Sequence, residues 1–216
     1  MNELEWFECS DPGRMLRFLG EKLSKRKLRL FAIACCRQCS DQFPDKREIN
    51  ALRQAELYAD GLLTEEDRNT TQTALDDLHY EDVDDVGERL LDSLFFERFD
   101  AHDALGCGDF IARHYEFQEG SFEGISREVE QEQAELLRKI VGNPFREPHF
   151  DSTWRTENMK GLAWRAYEDR SVEILPILYD VLLEAGCNSH AILNYCQTAK
   201  QIIKGHWILD LLLGRE

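Results

Sequence analysis

Cys187, His190, Cys196 and His206 place two thiols and two imidazoles within 20 residues, opening on a Cys-x2-His spacing. Thiolate and imidazole are the ligands of structural zinc, which takes four of them tetrahedrally, so this is the best zinc candidate in the chain. Finger-like sites space their second pair three to five residues apart, and Cys196 and His206 are wider than that. Cys187 also directly follows Gly186, at an expected helix end, where packing accounts for a small apolar side chain. Cys36 and Cys39 form a lone C-x-x-C, with Cys35 one helical turn before Cys39. No second C-x-x-C follows, and the apolar run from Leu28 to Cys36 makes packed thiols the simpler account.

A second grouping is His79, His102-Asp103 and a later Asp180. It imitates the His and Asp set with which all-helical HD-type phosphohydrolases hold one or two metals and attack phosphoesters with bound hydroxide. In a chain with six His and abundant Asp, one His-Asp neighbour is expected by chance. The following Ala104-Leu105-Gly106-Cys107 departs from that family's continuation. No G-x-S-x-G, H-E-x-x-H or P-loop pattern occurs. No catalytic residue is therefore assigned, with His79, His102 and Asp103 kept as the alternative. No cofactor is expected either, with zinc as the alternative.

Charge is the stronger signal. The chain carries 26 basic against 42 acidic residues, a formal net charge of -16. From Asp76 to Asp103 there are 11 acidic residues against Arg89 and Arg98, a balance of -9, whereas Arg14 to Arg53 holds 11 basic against 4 acidic, a balance of +7. Phosphate backbones and anionic membranes need a cationic face, so the whole-chain charge argues against direct nucleic-acid or membrane binding. The basic stretch has few aromatics between its cations and an apolar remainder that must be buried, which argues against an RNA platform. An acidic surface suits a protein partner: either a basic protein met by Asp82, Asp84, Asp85 and Glu88, or a nucleic-acid enzyme whose phosphate-binding face those carboxylates imitate. The competing account is a solvated face that the basic helices neutralise within the fold.

The elements that must position these residues are helical. At 216 residues, with 43% apolar and 31% charged residues and only 13 Gly and 5 Pro, the chain can bury a real core. Apolar residues recur at helical spacing and no Asn-Gly or Asp-Gly hairpin sits between alternating strands, so the expected class is mainly α, an irregular bundle of about nine or ten helices. Asp11-Pro12 opens a helix to about Leu23. Ser24 caps the next, about Lys25 to Cys39. Its first-turn cations oppose the macrodipole and point to something acidic nearby. Pro44 starts a third, with Ile49, Leu52, Ala55, Leu57 and Tyr58 on its apolar stripe. Thr64 opens a weak fourth through Asn69 to Thr73, residues poor in helix formers. Val83 to Phe99, Phe110 to Phe117 and about Ser121 to Val141 read as further helices. After Gly142-Asn143-Pro144, helices are expected around Leu162 to Tyr167, Val172 to Ala185, Ala191 to Cys196 and Gly205 to Leu213. Trp154, Trp164 and Trp207, among Leu and Ile, read as core. The punctuation at Gly142 divides an N-terminal subdomain, 1–141, from a C-terminal one, 142–216, expected to pack as one unit.

The residues Glu5-Trp6, Cys9, Asp11-Pro12, Met15-Leu16, Phe18-Leu19, Arg26-Lys27-Leu28-Arg29-Leu30-Phe31-Ala32 and Ala34-Cys35-Cys36-Arg37 resemble the opening of an uncharacterised family of bacterial all-helical proteins. Gly142-Asn143-Pro144-Phe145-Arg146, Leu175-Pro176-Ile177-Leu178, Asp180, Ala185-Gly186-Cys187, Trp207 and Asp210-Leu211-Leu212-Leu213-Gly214 resemble its close. The likeness covers roughly the first 60 and last 75 residues. Some relatives accompany or carry SMI1/KNR4-like modules, a group that includes toxin-immunity proteins, and the family has no established activity. Relatives place His before the Cys at 196, a second His a few residues on and Cys before the last Trp; Tyr195, Ile202 and His206 stand there in this sequence. What the resemblance implies is a bacterial helical protein without a metal site carried over.

No run approaches the roughly 20 apolar residues that span a bilayer, and the acidic opening is no secretory signal. Seven cysteines cannot all pair within one chain, and adjacent Cys35 and Cys36 are awkward for disulfides, so reduced thiols in a cytoplasm are expected. The leading expectation is a non-enzymatic cytoplasmic helical protein that acts through protein contacts, as an accessory subunit or an immunity-like partner.

Overall fold

The computed structural model describes residues 1–38, 45–81, 91, 93–95, 99–104, 106 and 127–215, with residues 78–81 described in backbone only. The protein is mainly α: ten α-helices and three 3-10 turns have defined bounds among the described residues, and none of these residues forms a strand. No helix among them is long and apolar enough to cross a membrane. The chain forms two compact units, Met1–Leu137 and Arg138–Glu216, dividing inside a helix four residues before the expected Gly142 punctuation.

The first unit opens with α1, Glu3–Glu8, closed by a capping box. The Asn2 side chain accepts from the Glu5 backbone N–H at 2.8 Å, and the Glu5 carboxylate accepts from the Asn2 N–H at 2.9 Å. A six-residue helix is marginal alone, and buried Trp6, its ring 6.3 Å from Phe18, ties it down. Asp11 caps α2, Pro12–Leu19, by accepting from the Arg14 N–H at 2.8 Å, with Pro12 at the first position. The expected run to Leu23 breaks at Gly20, where φ of +51° ends the α-helix and a 3-10 turn, Gly20–Lys22, takes over.

Helix α3, Lys25–Gln38, buries Leu28, Leu30, Phe31, Ile33, Cys35 and Cys36 and packs against α4, Lys46–Ala59. The α4 stripe differs from expectation: Ile49 is exposed, and Ala51, Leu52 and Ala55 are buried together with Glu48 and Glu56. Both buried carboxylates have local partners that decide the rotation. Glu48 accepts from the Asp45 N–H at 3.0 Å to close a capping box, and Glu56 accepts from Arg37 Nε at 2.5 Å. Helix α5, Glu65–Glu81, lies on α4 with Thr71 and Leu75 buried. Helix α6, Arg127–Val141, closes the unit with Ala134, Leu136 and Leu137 and crosses into the second. The expected helix at 110–117 and the start of that at 121–141 lie outside the described residues.

In the second unit, a 3-10 turn at Ser152–Trp154 leads to α7, Glu157–Asp169, capped by Thr156. The helix expected from Val172 begins as a 3-10 turn, Val172–Ile174. It becomes α8, Leu175–Glu184, with Pro176 in the first turn, where its missing N–H costs nothing. Helix α9, His190–Thr198, packs on α8, and α10, Trp207–Leu213, on α7. One core runs through Trp154, Met159, Tyr167, Leu178, Ile192 and Leu209. Of the three tryptophans expected in the core, Trp154 is buried. Trp164 is 37% exposed beneath the Arg215 guanidinium, 4.7 Å from its ring centre. Trp207 is partly buried and packs against the cluster.

Arg155 is the staple of this unit. Its Nη2 donates to the Leu211 carbonyl at 2.7 Å and its Nε to the Leu212 carbonyl at 3.3 Å, both in the last turn of α10, where the Leu211 carbonyl also accepts from the Gly214 N–H at 3.3 Å. The same guanidinium lies 4.7 Å from the Phe150 ring centre.

Candidate functional site

The arginines of α3 turn inward. Arg26 pairs with Asp60 at 2.9 Å and Arg37 with Glu56 at 2.5 Å, both acids contributed by α4 or its C-terminal cap. Arg26 lies in the first turn of α3, where its charge opposes the macrodipole, and Asp60, whose side chain is fully buried, supplies the acid expected there. Arg29 is 6% exposed and donates from Nε to the Leu94 carbonyl at 2.6 Å. Its guanidinium lies between the rings of Tyr58, at 4.6 Å, and Phe99, at 5.2 Å, and burial lowers its pKa. These three arginines serve the interior of the unit rather than a nucleic-acid face.

Helix α5 presents the opposite charge. Asp67 and Thr64 form the expected cap: the Thr64 hydroxyl donates to the Asp67 carboxylate at 2.6 Å and accepts from the Asp67 N–H at 3.1 Å. The face turned away from α4 lines an open groove of about 760 Å³ with Glu65, Glu66, Asn69, Thr70, Thr73, Ala74 and Asp77. Among the described residues that line it are three carboxylates and no Lys or Arg. The hydroxyls of Thr70 and Thr73 donate to the carbonyls of Glu66 and Asn69, at 2.9 and 3.0 Å, so they are spent on the backbone of their own helix. Chemically the groove offers acceptors and negative charge, with no nucleophile–base pair. The residues expected to form the protein-binding surface, Asp82, Asp84, Asp85 and Glu88, lie outside the described residues. The groove residues went unremarked in the sequence because Asn69 to Thr73 are poor helix formers. The spacing 66, 70, 73, 77 is the signal that places them on one face.

The His and Asp set separates into structural roles. Asp100 Oδ1 accepts from the N–H groups of His102 and Asp103 at 2.7 and 3.2 Å, and Asp103 Oδ2 accepts from the Asp100 N–H at 2.9 Å. Asp103 thus closes a helix cap, and His102 is exposed. His79 lies on α5 with its side chain outside the described residues, and Asp180 is exposed on α8 in the second unit.

The Cys and His set is only partly gathered. Cys187 and Cys196 are buried, and Cys187 is close enough to bear on the ionisation of Cys196. Burial raises both thiols, Cys196 to about 12 with Cys187 adding to the effect, so at neutral pH both are protonated. Burial likewise raises the phenol of Tyr195, whose hydroxyl makes no hydrogen bond. His206 lies with its ring 4.2 Å from that of Tyr195, and its Nδ1 accepts from the Ile208 N–H at 3.2 Å as the N-cap of α10. His190 opens α9 and is exposed. Among the described residues no three His, Cys, Asp or Glu side chains converge as metal ligands. Cys35 and Cys36 are buried in α3 and form no disulfide, and Cys39 lies outside the described residues.

No family model, curated protein or solved structure matches the chain.

Proposed function

We propose that this is a non-enzymatic helical protein of the cytoplasm that acts through contacts with another protein, its acidic surface receiving a basic partner. The observation that carries this reading is the division of charge in the first unit. The arginines of α3 are consumed by Asp60, Glu56 and the Tyr58–Phe99 box, while Glu65, Glu66 and Asp77 of α5 open onto solvent in a groove with no cation among the described residues that line it. Carboxylates held this way speed and orient encounter with a cationic surface, with a strong dependence on salt. The likeness of the chain's two ends to a bacterial helical family belongs to the same reading, as an accessory or immunity-like partner.

The test is titration of the protein with a soluble Ser/Lys peptide at low and physiological salt. Binding is expected at low salt, weakened several-fold by Glu66→Lys/Asp77→Lys and by added salt. Metal-dependent phosphoesterase activity that disappears on His102→Ala would refute the reading.

A further inference from the structure

Helix α1 turns two large apolar side chains to solvent: Leu4 is 67% and Phe7 is 51% exposed, three residues apart on one face. This is not the looseness of a fraying end, because the capping box and buried Trp6 fix the helix from the other side. Glu3 lies one turn before Phe7 and Glu8 one turn after Leu4, so carboxylates flank the apolar pair, and no Lys or Arg occurs between Met1 and Gly13. Leaving a Leu and a Phe in water forgoes their burial, and a rigid apolar pair rimmed by charge is how interaction hot spots are built.

The chemistry of the rim chooses the occupant. A second copy of this chain would set Glu3 and Glu8 against carboxylates of a molecule that also carries a charge of -16. An anionic bilayer is repelled for the same reason. We propose that the outer face of α1 docks a basic amphipathic helix of another protein, Leu4 and Phe7 packing against its apolar stripe while Glu3 and Glu8 meet its flanking lysines or arginines. This rests on the proposed acidic-surface function and adds an apolar anchor to it.

The experiment compares two peptides of equal positive charge, a Leu/Lys amphipathic helix and its Ser/Lys counterpart, titrated into the full chain and into Leu4→Ser/Phe7→Ser. The variant's fold is checked by the near-UV signal of Trp6. The Leu/Lys peptide is expected to bind about tenfold more tightly than the Ser/Lys peptide, and the double substitution to remove that gain while leaving Ser/Lys binding unchanged. Equal binding of the two peptides, or a gain that survives the substitution, overturns the α1 proposal and leaves the acidic-surface function standing. Failure of both peptides to bind overturns both. Self-association of the chain that Leu4→Ser/Phe7→Ser abolishes assigns the face to a second copy and also overturns the proposal.

Discussion

Gly142 is the position where one added methyl group should do most damage. It ends α6 at a φ of +78°, its N–H bonded to the Arg138 carbonyl at 2.7 Å. A Cβ built there would lie 2.9 Å from Trp207 Cγ and 3.1 Å from Cδ1 and Cδ2. Two costs follow. An L-residue in the left-handed region costs about 1–2 kcal/mol. The second is steric: Cγ is the root of the indole, so the ring cannot relieve the clash by swinging its far end. The whole side chain must shift, at about 1–3 kcal/mol for such overpacking. Gly186 isolates the first cost, because it has a φ of +82° with nothing within 4 Å of its Cβ position. Gly142→Ala should therefore destabilise by about 2–5 kcal/mol and Gly186→Ala by about 1–2 kcal/mol, measured by urea unfolding followed by tryptophan fluorescence. In a Trp207→Ala background the excess at Gly142 should largely vanish, since the double-mutant cycle removes the clash and keeps the backbone strain. Equal losses at the two glycines in the parent chain would refute the close-packing account.

Two further outcomes follow from the second unit. Arg155→Met keeps the stem but removes both bonds to the carbonyls of Leu211 and Leu212 and the contact with Phe150; it should lower stability by about 2–3 kcal/mol in thermal unfolding, with Arg155→Lys intermediate. The Cys196 thiol has its pKa raised from 9.0 to about 12, so the folded state keeps a proton that the unfolded state loses. Its contribution is full below about pH 9 and falls as pH rises toward about 12, at up to about 1.4 kcal/mol per pH unit. Cys196→Ala should accordingly flatten the alkaline limb of the stability curve relative to the parent chain, and parallel curves above pH 9 would show that the thiol is not buried as described.

Helix starts were legible where a cap residue stood in the sequence: Asp11-Pro12, Ser24 and Thr64 all sit at observed helix starts. Helix α1 was missed although Asn2 and Glu5 have the spacing of a capping box, because a single buried Trp6 gives no period to detect. Rotation was harder to read than position. Ile49 looked like the buried residue of α4, but Glu48 and Glu56 took the inner face because Asp45 and Arg37 were there to receive them. Hydrophobicity alone cannot anticipate a buried ion pair whose partner lies on another helix. The same holds for the candidate sites. The spacing of Cys187, His190, Cys196 and His206 is compatible with zinc, and what separates them is that α9 starts with His190 facing solvent while His206 spends Nδ1 on the backbone of α10.

Charge shows how a local count and a surface can disagree. Between Arg14 and Arg53 the chain is strongly basic by composition, which by itself would suggest an anion-binding face. Arg26, Arg29 and Arg37 are instead desolvated against Asp60, an aromatic box and Glu56, and a charge committed in that way has little left for a ligand. The acids of α5 are not consumed likewise: Thr71 and Leu75 face α4, so Glu66 and Asp77, on the other side of the helix, remain in water. Polarity in the sequence becomes segregation in the fold: Arg26, Arg29 and Arg37 serve the interior of the first unit together with Glu56 and Asp60, while Glu66 and Asp77 are left on its surface. A partner that reads this surface must therefore bring the positive charge itself, and its affinity must fall with salt in proportion to the carboxylates it covers.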